Sequence, residues 1–262
     1  MFLSLFLINL LLMLIAWLIV TYNHRAGLVD VMWSCCIACN VIWAAYLSSS
    51  APLLIRLFIG LGSSFWFIRL SWHLLRRYLS ETQEDTRYAN MRRAMGRYQH
   101  WGFLAFFIFQ AGLAILFSYP MLTLLSFNET QWQNWMPITL MIAVLILLLA
   151  LVGETVADQQ LYRFKRNPSN QAKTLDQGLW RYSRHPNYFF EWLHWFSYPI
   201  LALAADVYSL WLYPVLMWLF LYYITGIPFS EQQALQHRAD NYAAYQQRTS
   251  MFFPWPPKKK SK

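Results

Sequence analysis

Charge is scarce in this 262-residue sequence: Asp, Glu, Lys and Arg together make up 13% of it. A soluble globule usually carries about a quarter, so there are too few charged side chains here to cover a water-exposed surface. Glycine is also sparse, at 9 residues, which excludes a collagen repeat. Three cysteines cannot frame a disulfide scaffold. No stretch alternates for long between Asn-Gly or Asp-Gly turns, which argues against a membrane barrel. A composition 58% hydrophobic excludes disorder.

What the chain has in abundance is apolar length and aromatic rings. Aromatics make up 19%, and Trp and Tyr suit the headgroup level of a bilayer. About 18 apolar residues are enough to propose a crossing. Seven segments approach or exceed this: Met1–Thr21, Leu28–Leu47, Leu53–Leu75, Trp101–Leu125, Met136–Asp158, Tyr188–Ala204 and Val207–Ile227. The last two are separated by little more than Ala205 and Asp206, which predicts a tight helical hairpin. The first segment lacks a basic n-region and an Ala-x-Ala site, so it is expected to be a retained helix rather than a signal peptide. The expected fold is an all-α integral membrane bundle, one domain over 1–262, with a C-terminal tail over 228–262 that ends in a disordered basic run.

The net charge of +9 has to go somewhere. With seven crossings, 19 of the 21 Lys and Arg fall in the first, third and fifth loops and the tail. The other two, Arg56 and Arg69, lie inside the third apolar stretch. The positive-inside rule then puts the N-terminus outside and the C-terminus in the cytoplasm. Attraction to anionic membrane lipids accounts for Lys258-Lys-Lys260. Nucleic acid is not an expected partner, because no soluble domain is present to bind it.

Metal is not expected either. Cys35, Cys36 and Cys39 have no His or fourth Cys nearby and read as small packing residues. Gly60-Leu-Gly62 has no third glycine and no preceding strand, so it is a close-packing point between helices rather than a dinucleotide fingerprint. Glu191-x-x-His194 resembles half of a di-iron carboxylate site, but the sequence offers no second copy.

Ionisable groups inside apolar helices are costly and point to function. Glu154 and Asp158 share one helix face at a spacing that makes like charges repel, unless both reach water and Arg163 and Lys165. Pro186 is placed for a helix start, from which Asn187, Glu191 and His194 form one polar stripe. Arg181, Arg184 and His185 just before it form a cationic mouth suited to phosphate, while the bland reading is a buried network tying helices together. Asp30, near Trp33, with His73 and Arg69 on the third segment, is either a helix-dipole partner or an anchor for a polar substrate atom.

The runs GLWRYSRHPNYFFE (178–191) and GETVADQQLYRFKRN (153–167) and the tail EQQALQHRADNYAAYQQRTSMFFPWPPK (231–258) resemble the steroid 5-alpha-reductase superfamily, best its bacterial branch, domain of unknown function 1295. Asp30-Val-Met-Trp33 and Glu84-Asp85-Thr-Arg87-Tyr88 also look like that branch. The resemblance implies seven membrane helices in a bacterial inner membrane and reduction of an activated carbon–carbon double bond of a lipophilic substrate with NADPH. It implies cofactor contacts at Asn187, Glu191, Glu154, Asp158 and Lys165, with Arg238, Tyr242 and Tyr245 in a tail that closes over the cofactor pocket. Arg87, Arg181 and Arg184 are expected to meet phosphates, with His185 beside them, and Asp30 or His73 to polarise the enone oxygen. The family's substrate-anchoring Tyr has no clear counterpart; His73 or Tyr78 stands nearest. Arg-His-Pro-x-Tyr also occurs in isoprenylcysteine and phospholipid methyltransferases, so S-adenosylmethionine-dependent methylation is the alternative. Those enzymes usually place Gly soon after the Tyr, where this chain has Phe189 and Phe190.

Overall fold

The computed structural model of the chain describes residues 2–81, 83–170 and 173–258, without the side chains of 237–240. The expected contact Arg238 and the basic run at Lys259, Lys260 and Lys262 therefore lie outside the described residues. The chain is 81% helical, with no strand among the described residues. Among the described residues, six helical stretches are long and apolar enough to cross a membrane. The chain divides into two compact units, Met1–Gln133 and Asn134–Lys262.

The first unit holds α1 (Phe2–Asn23), α2 (Leu28–Leu47), α3 (Leu53–Ser80), α4 (Thr86–Met95) and α5 (Gln99–Leu124). Helix α2 is its centre and packs on α1, α3 and α5. It buries Val29, Ile37, Val41 and Ala44 on one face, positions separated by three, four or eight residues, while Trp43 and Tyr46 face outward. On α1, Leu3, Leu11 and Leu18 all point away from the protein, and 28% of its apolar window is buried. Apolar exposure on that scale fits a lipid surround and not water. Inside the unit, Asn40 Nδ2 donates to Ser118 Oγ at 3.0 Å, and Ser118 Oγ donates to the Ala114 carbonyl at 2.7 Å, so α2 and α5 share a satisfied buried polar link.

Gly60 bears out the expected close approach. Helix α3 makes a π turn at Phe58–Ser63, and a Cβ on Gly60 would come within 2.9 Å of the Ala45 Cβ on α2. A methyl attached directly to a packed helix cannot swing aside, so Gly60→Val should destabilise the protein by roughly 1–3 kcal/mol, the usual range for overpacking. Thermal unfolding in detergent checks this; an unchanged Tm would show that the two helices separate freely.

The second unit holds α6 (Met136–Arg166), α7 (Pro186–His194), α8 (Ser197–Ala202), α9 (Leu212–Leu219), a π turn at Phe220–Ile224 and α10 (Ile227–Arg248). The segment expected as one crossing, Tyr188–Ala204, is two short helices interrupted at Trp195 and Phe196. Pro199 supplies the reason: it has no N–H for the Trp195 carbonyl, so the ladder of α7 stops and restarts with Ile200 N–H to Phe196 O. A turn stands where the hairpin was expected, after the short helix α8. Asp206 adopts the left-handed conformation and the Val207 N–H returns to the Ala202 carbonyl at 3.1 Å. After α10 the chain lies back as a strap, 249–258, with Arg184 N–H bonded to Ser250 O and Trp255 N–H to Tyr182 O.

Candidate functional site

Two polar clusters stand out, one in each unit. In the first unit, Asp85 is the N-cap of α4 and accepts the Arg87 N–H at 2.9 Å. That cap aims the next residues back at α2. Tyr88 Oη donates to Asp30 Oδ1 at 2.6 Å, and Arg87 Nη2 donates to Asp30 Oδ2 at 3.0 Å. Arg87 also grips Asp85 through Nε and Nη2, at 3.1 and 2.9 Å, and Arg77 joins Asp85 at 3.1 Å. Burial pushes the Asp85 carboxyl up, but hydrogen bonds and charge from Arg87, with Arg77, outweigh it and hold it below the usual range. Below this network Glu84 is paired with Arg92 at 2.7 Å and caps the Ala26 N–H. A cavity of about 20 Å³ opens beside Asp30, Arg77, Tyr78 and Asp85, the size of one water.

The tyrosine that meets Asp30 is Tyr88, and not His73 or Tyr78. Tyr88 is 5% exposed and donates to Asp30. His73 is exposed on α3, and the Tyr78 hydroxyl accepts from Asn23 Nδ2. Arg87, expected to meet phosphate, has its guanidinium between the carboxylates of Asp30 and Asp85.

In the second unit, α7 packs against α6 at Gly153, where a Cβ would lie 2.3 Å from the Phe190 ring. This close approach places the polar stripe of α7 against the acidic turn of α6. Asn187 Nδ2 donates to Asp158 Oδ1 at 3.2 Å. Asn187 Oδ1 is buried with no hydrogen-bond donor among the described residues. Glu154, one turn before Asp158, and Glu191, one turn after Asn187, are buried at 5% and 9% exposure. His194 is fully buried; its Nδ1 lies 2.7 Å from the Glu191 carbonyl oxygen. The expected stripe of Asn187, Glu191 and His194 is therefore real as a helix face, and the structure adds the contact of Asn187 with Asp158.

The cationic mouth is organised differently from the expectation. Glu231, on α10, accepts from Arg184 Nε and Nη2 at 2.9 and 3.2 Å, from His185 Nε2 at 2.8 Å, from Tyr242 Oη at 2.8 Å and from Gln246 Nε2. Arg184 Nη1 also reaches the Gln246 and Thr249 carbonyls. His185 stacks on Tyr188 at 5.4 Å. Burial drives the His185 pKa down against the opposing pull of Glu231, so its ring is neutral at neutral pH. Arg184, His185 and Tyr242, expected beside the cofactor, are thus joined to Glu231 on α10, and Arg184 also to the strap at Thr249. Tyr245 belongs to the same clamp, donating to the Trp180 and Ser183 carbonyls. Sequence reading missed Glu231, although its spacing to Tyr242 and Gln246, eleven and fifteen residues, places all three on one helix face. Arg181 is exposed, and so is Lys165 in the last turn of α6. Among the described residues no group of three or more His, Cys, Asp or Glu is placed to hold a metal ion.

Fold and clusters define a helical integral membrane protein with buried acids at the ends of its apolar helices. The family described as a protein of unknown function (DUF1295) matches residues 16–249, and the chain belongs to it; that family is associated with the steroid 5-alpha-reductase superfamily. An uncharacterized protein of Schizosaccharomyces pombe is 28% identical over 232 residues, covering 80% of this chain. The chain spans 65% of that relative's length. No solved structure matches.

Proposed function

We propose that this protein is a membrane oxidoreductase that reduces the activated double bond of a lipophilic enone with NADPH. The observation that carries the reading is Asn187: its Nδ2 is bound to Asp158 while its Oδ1 is a buried acceptor lacking a donor. A carboxamide N–H of nicotinamide is the donor such an oxygen would take, so the residues present fit the cofactor. Asn187, Asp158, Glu154 and Glu191 would hold its polar ring and ribose atoms, and Lys165 and Arg181 supply positive charge for phosphate. Bound NADPH supplies the hydride.

The protein's own part in the chemistry is to take up negative charge at the substrate oxygen. Tyr88 Oη carries a proton directed at Asp30, and Arg87 pairs with the same carboxylate. An enone oxygen taking Asp30's place as acceptor would be polarised by this O–H as charge gathers on it. Tyr88 itself is buried, at 5% exposure. Orientation follows the basic loops, with the cofactor side in the cytoplasm and the membrane a bacterial inner one.

Titration of the purified full-length chain with NADPH tests this. Asn187→Ala should weaken binding about tenfold, the loss expected for one buried hydrogen bond near 1.4 kcal/mol. Absence of NADPH binding above background would overturn the proposal, and binding of S-adenosylmethionine in its place would point to methyl transfer.

A further inference from the structure

A second place in the Asn134–Lys262 unit is built to receive an anion, and it does not involve the Asn187–Asp158 cluster. The strap forms one wall of a cleft of about 440 Å³ lined by Arg181, Arg248, Lys258, Asp176, Thr249 and Gly178. Its construction follows from the sequence Phe253-Pro-Trp-Pro-Pro-Lys258. The three prolines have no N–H, so after Phe253 Trp255 and Lys258 are the backbone donors left, and both are used. Trp255 N–H bonds to Tyr182 O at 2.9 Å, and Lys258 N–H to Arg248 O at 2.9 Å. The second bond brings Lys258 to the end of α10 beside Arg248. Across the cleft, Gly178 turns at a φ of +60°, where a side chain would be strained and would strike Gln160.

The charge balance in this cleft is uneven. Arg248 donates to Asp176, which neutralises one cation. Arg181 and Lys258 remain, and neither side chain makes an ion pair or hydrogen bond among the described residues. The volume lies within the roughly 300–1,000 Å³ typical of ligand pockets and is too large for a single ion. The surroundings indicate where the anion comes from: Tyr182, Phe253 and Trp255 of the same strap and its anchor are exposed at 43%, 50% and 70%. Exposed aromatic rings beside cations are the pattern of a membrane–water interface.

We propose that this cleft seats the phosphate of an anionic phospholipid headgroup, with Arg181 and Lys258 supplying the charge and the three aromatic rings lying at headgroup level. Arg181 is shared with the phosphate contacts of the reductase reading, whereas Lys258 belongs to this cleft alone and separates the two. Native mass spectrometry of the full-length protein in neutral detergent tests it, with dioleoylphosphatidylglycerol and dioleoylphosphatidylcholine titrated separately. Phosphatidylglycerol should be retained over phosphatidylcholine. Arg181→Ala and Lys258→Ala should each weaken its retention about fivefold, as expected for a basic side chain worth about 1 kcal/mol at an anionic surface. Both side chains are free of internal partners among the described residues, so Tm should hold, and NADPH affinity in Lys258→Ala should hold as well. Equal retention of the two lipids, or variants that keep phosphatidylglycerol, would overturn the assignment. So would displacement of the lipid by NADPH together with weakened NADPH binding in Lys258→Ala, which would transfer the cleft to the cofactor. Failure of NADPH to bind at all bears on the reductase reading alone.

Discussion

Tyr88→Phe should lower the turnover of a lipophilic enone about 10²–10³-fold, the usual loss when one donor to a developing oxyanion is removed. The ring remains, so its contact with Phe106 and its place under Arg87 persist and Tm should scarcely move. The hydroxyl alone is lost, and with it the one proton directed at Asp30 Oδ1 at 2.6 Å. NADPH affinity should change little, because the loss falls on the substrate oxygen. The informative comparison is therefore between kcat and the cofactor Kd in the same variant. An equal fall in both, or no fall in kcat, would show that the Asp30–Tyr88 contact is only a fastening between α2 and α4. Asp30→Asn provides the matching control: it keeps the shape of the site but removes the charge that balances Arg87.

The second large effect is on stability. Glu231→Ala should cost roughly 3–5 kcal/mol, the range for removing one partner of a buried ion pair. Arg184 and His185 are 8% and 5% exposed, and both would lose their carboxylate while remaining buried. Tyr242 and Gln246 would lose it as well, so α10 and the strap would loosen together. Limited proteolysis of the tail, followed alongside Tm, distinguishes this from a local defect; a variant with unchanged Tm and a protected tail would contradict it. The wild-type protein carries a related pH dependence. Burial puts the folded His185 pKa below the ordinary 6.5, so the unfolded chain takes up a proton first as pH falls. The stability from this group is complete above pH 6.5 and is lost as pH falls through the lower folded value.

The residues that escaped sequence reading share one property. Tyr88 lies 58 residues from Asp30, and Glu231 lies 47 from Arg184. Each sits in a motif that resemblance had already marked, but a motif names residue types without saying which of them meet. Arg87 illustrates the consequence: by composition of its loop it reads as a phosphate ligand, and in three dimensions it is enclosed by Asp30 and Asp85. Asn187 and Asp158 were legible because helix periodicity and Pro186 place each at a helix end facing the same boundary. Their contact at 3.2 Å still depends on Gly153, which lets Phe190 and α7 approach α6.

The sequence by itself determined the class of protein: apolar run length, scarce charge and the clustering of Lys and Arg are summed quantities, and transfer to a bilayer responds to sums. It did not determine where helices break: Pro199 accompanies the break after α7, while Pro120 lies inside the continuous α5. Only the tertiary structure decided which polar groups are partners. A buried carboxylate takes the donors that packing brings within about 3 Å, and that distance is set by helices remote in sequence.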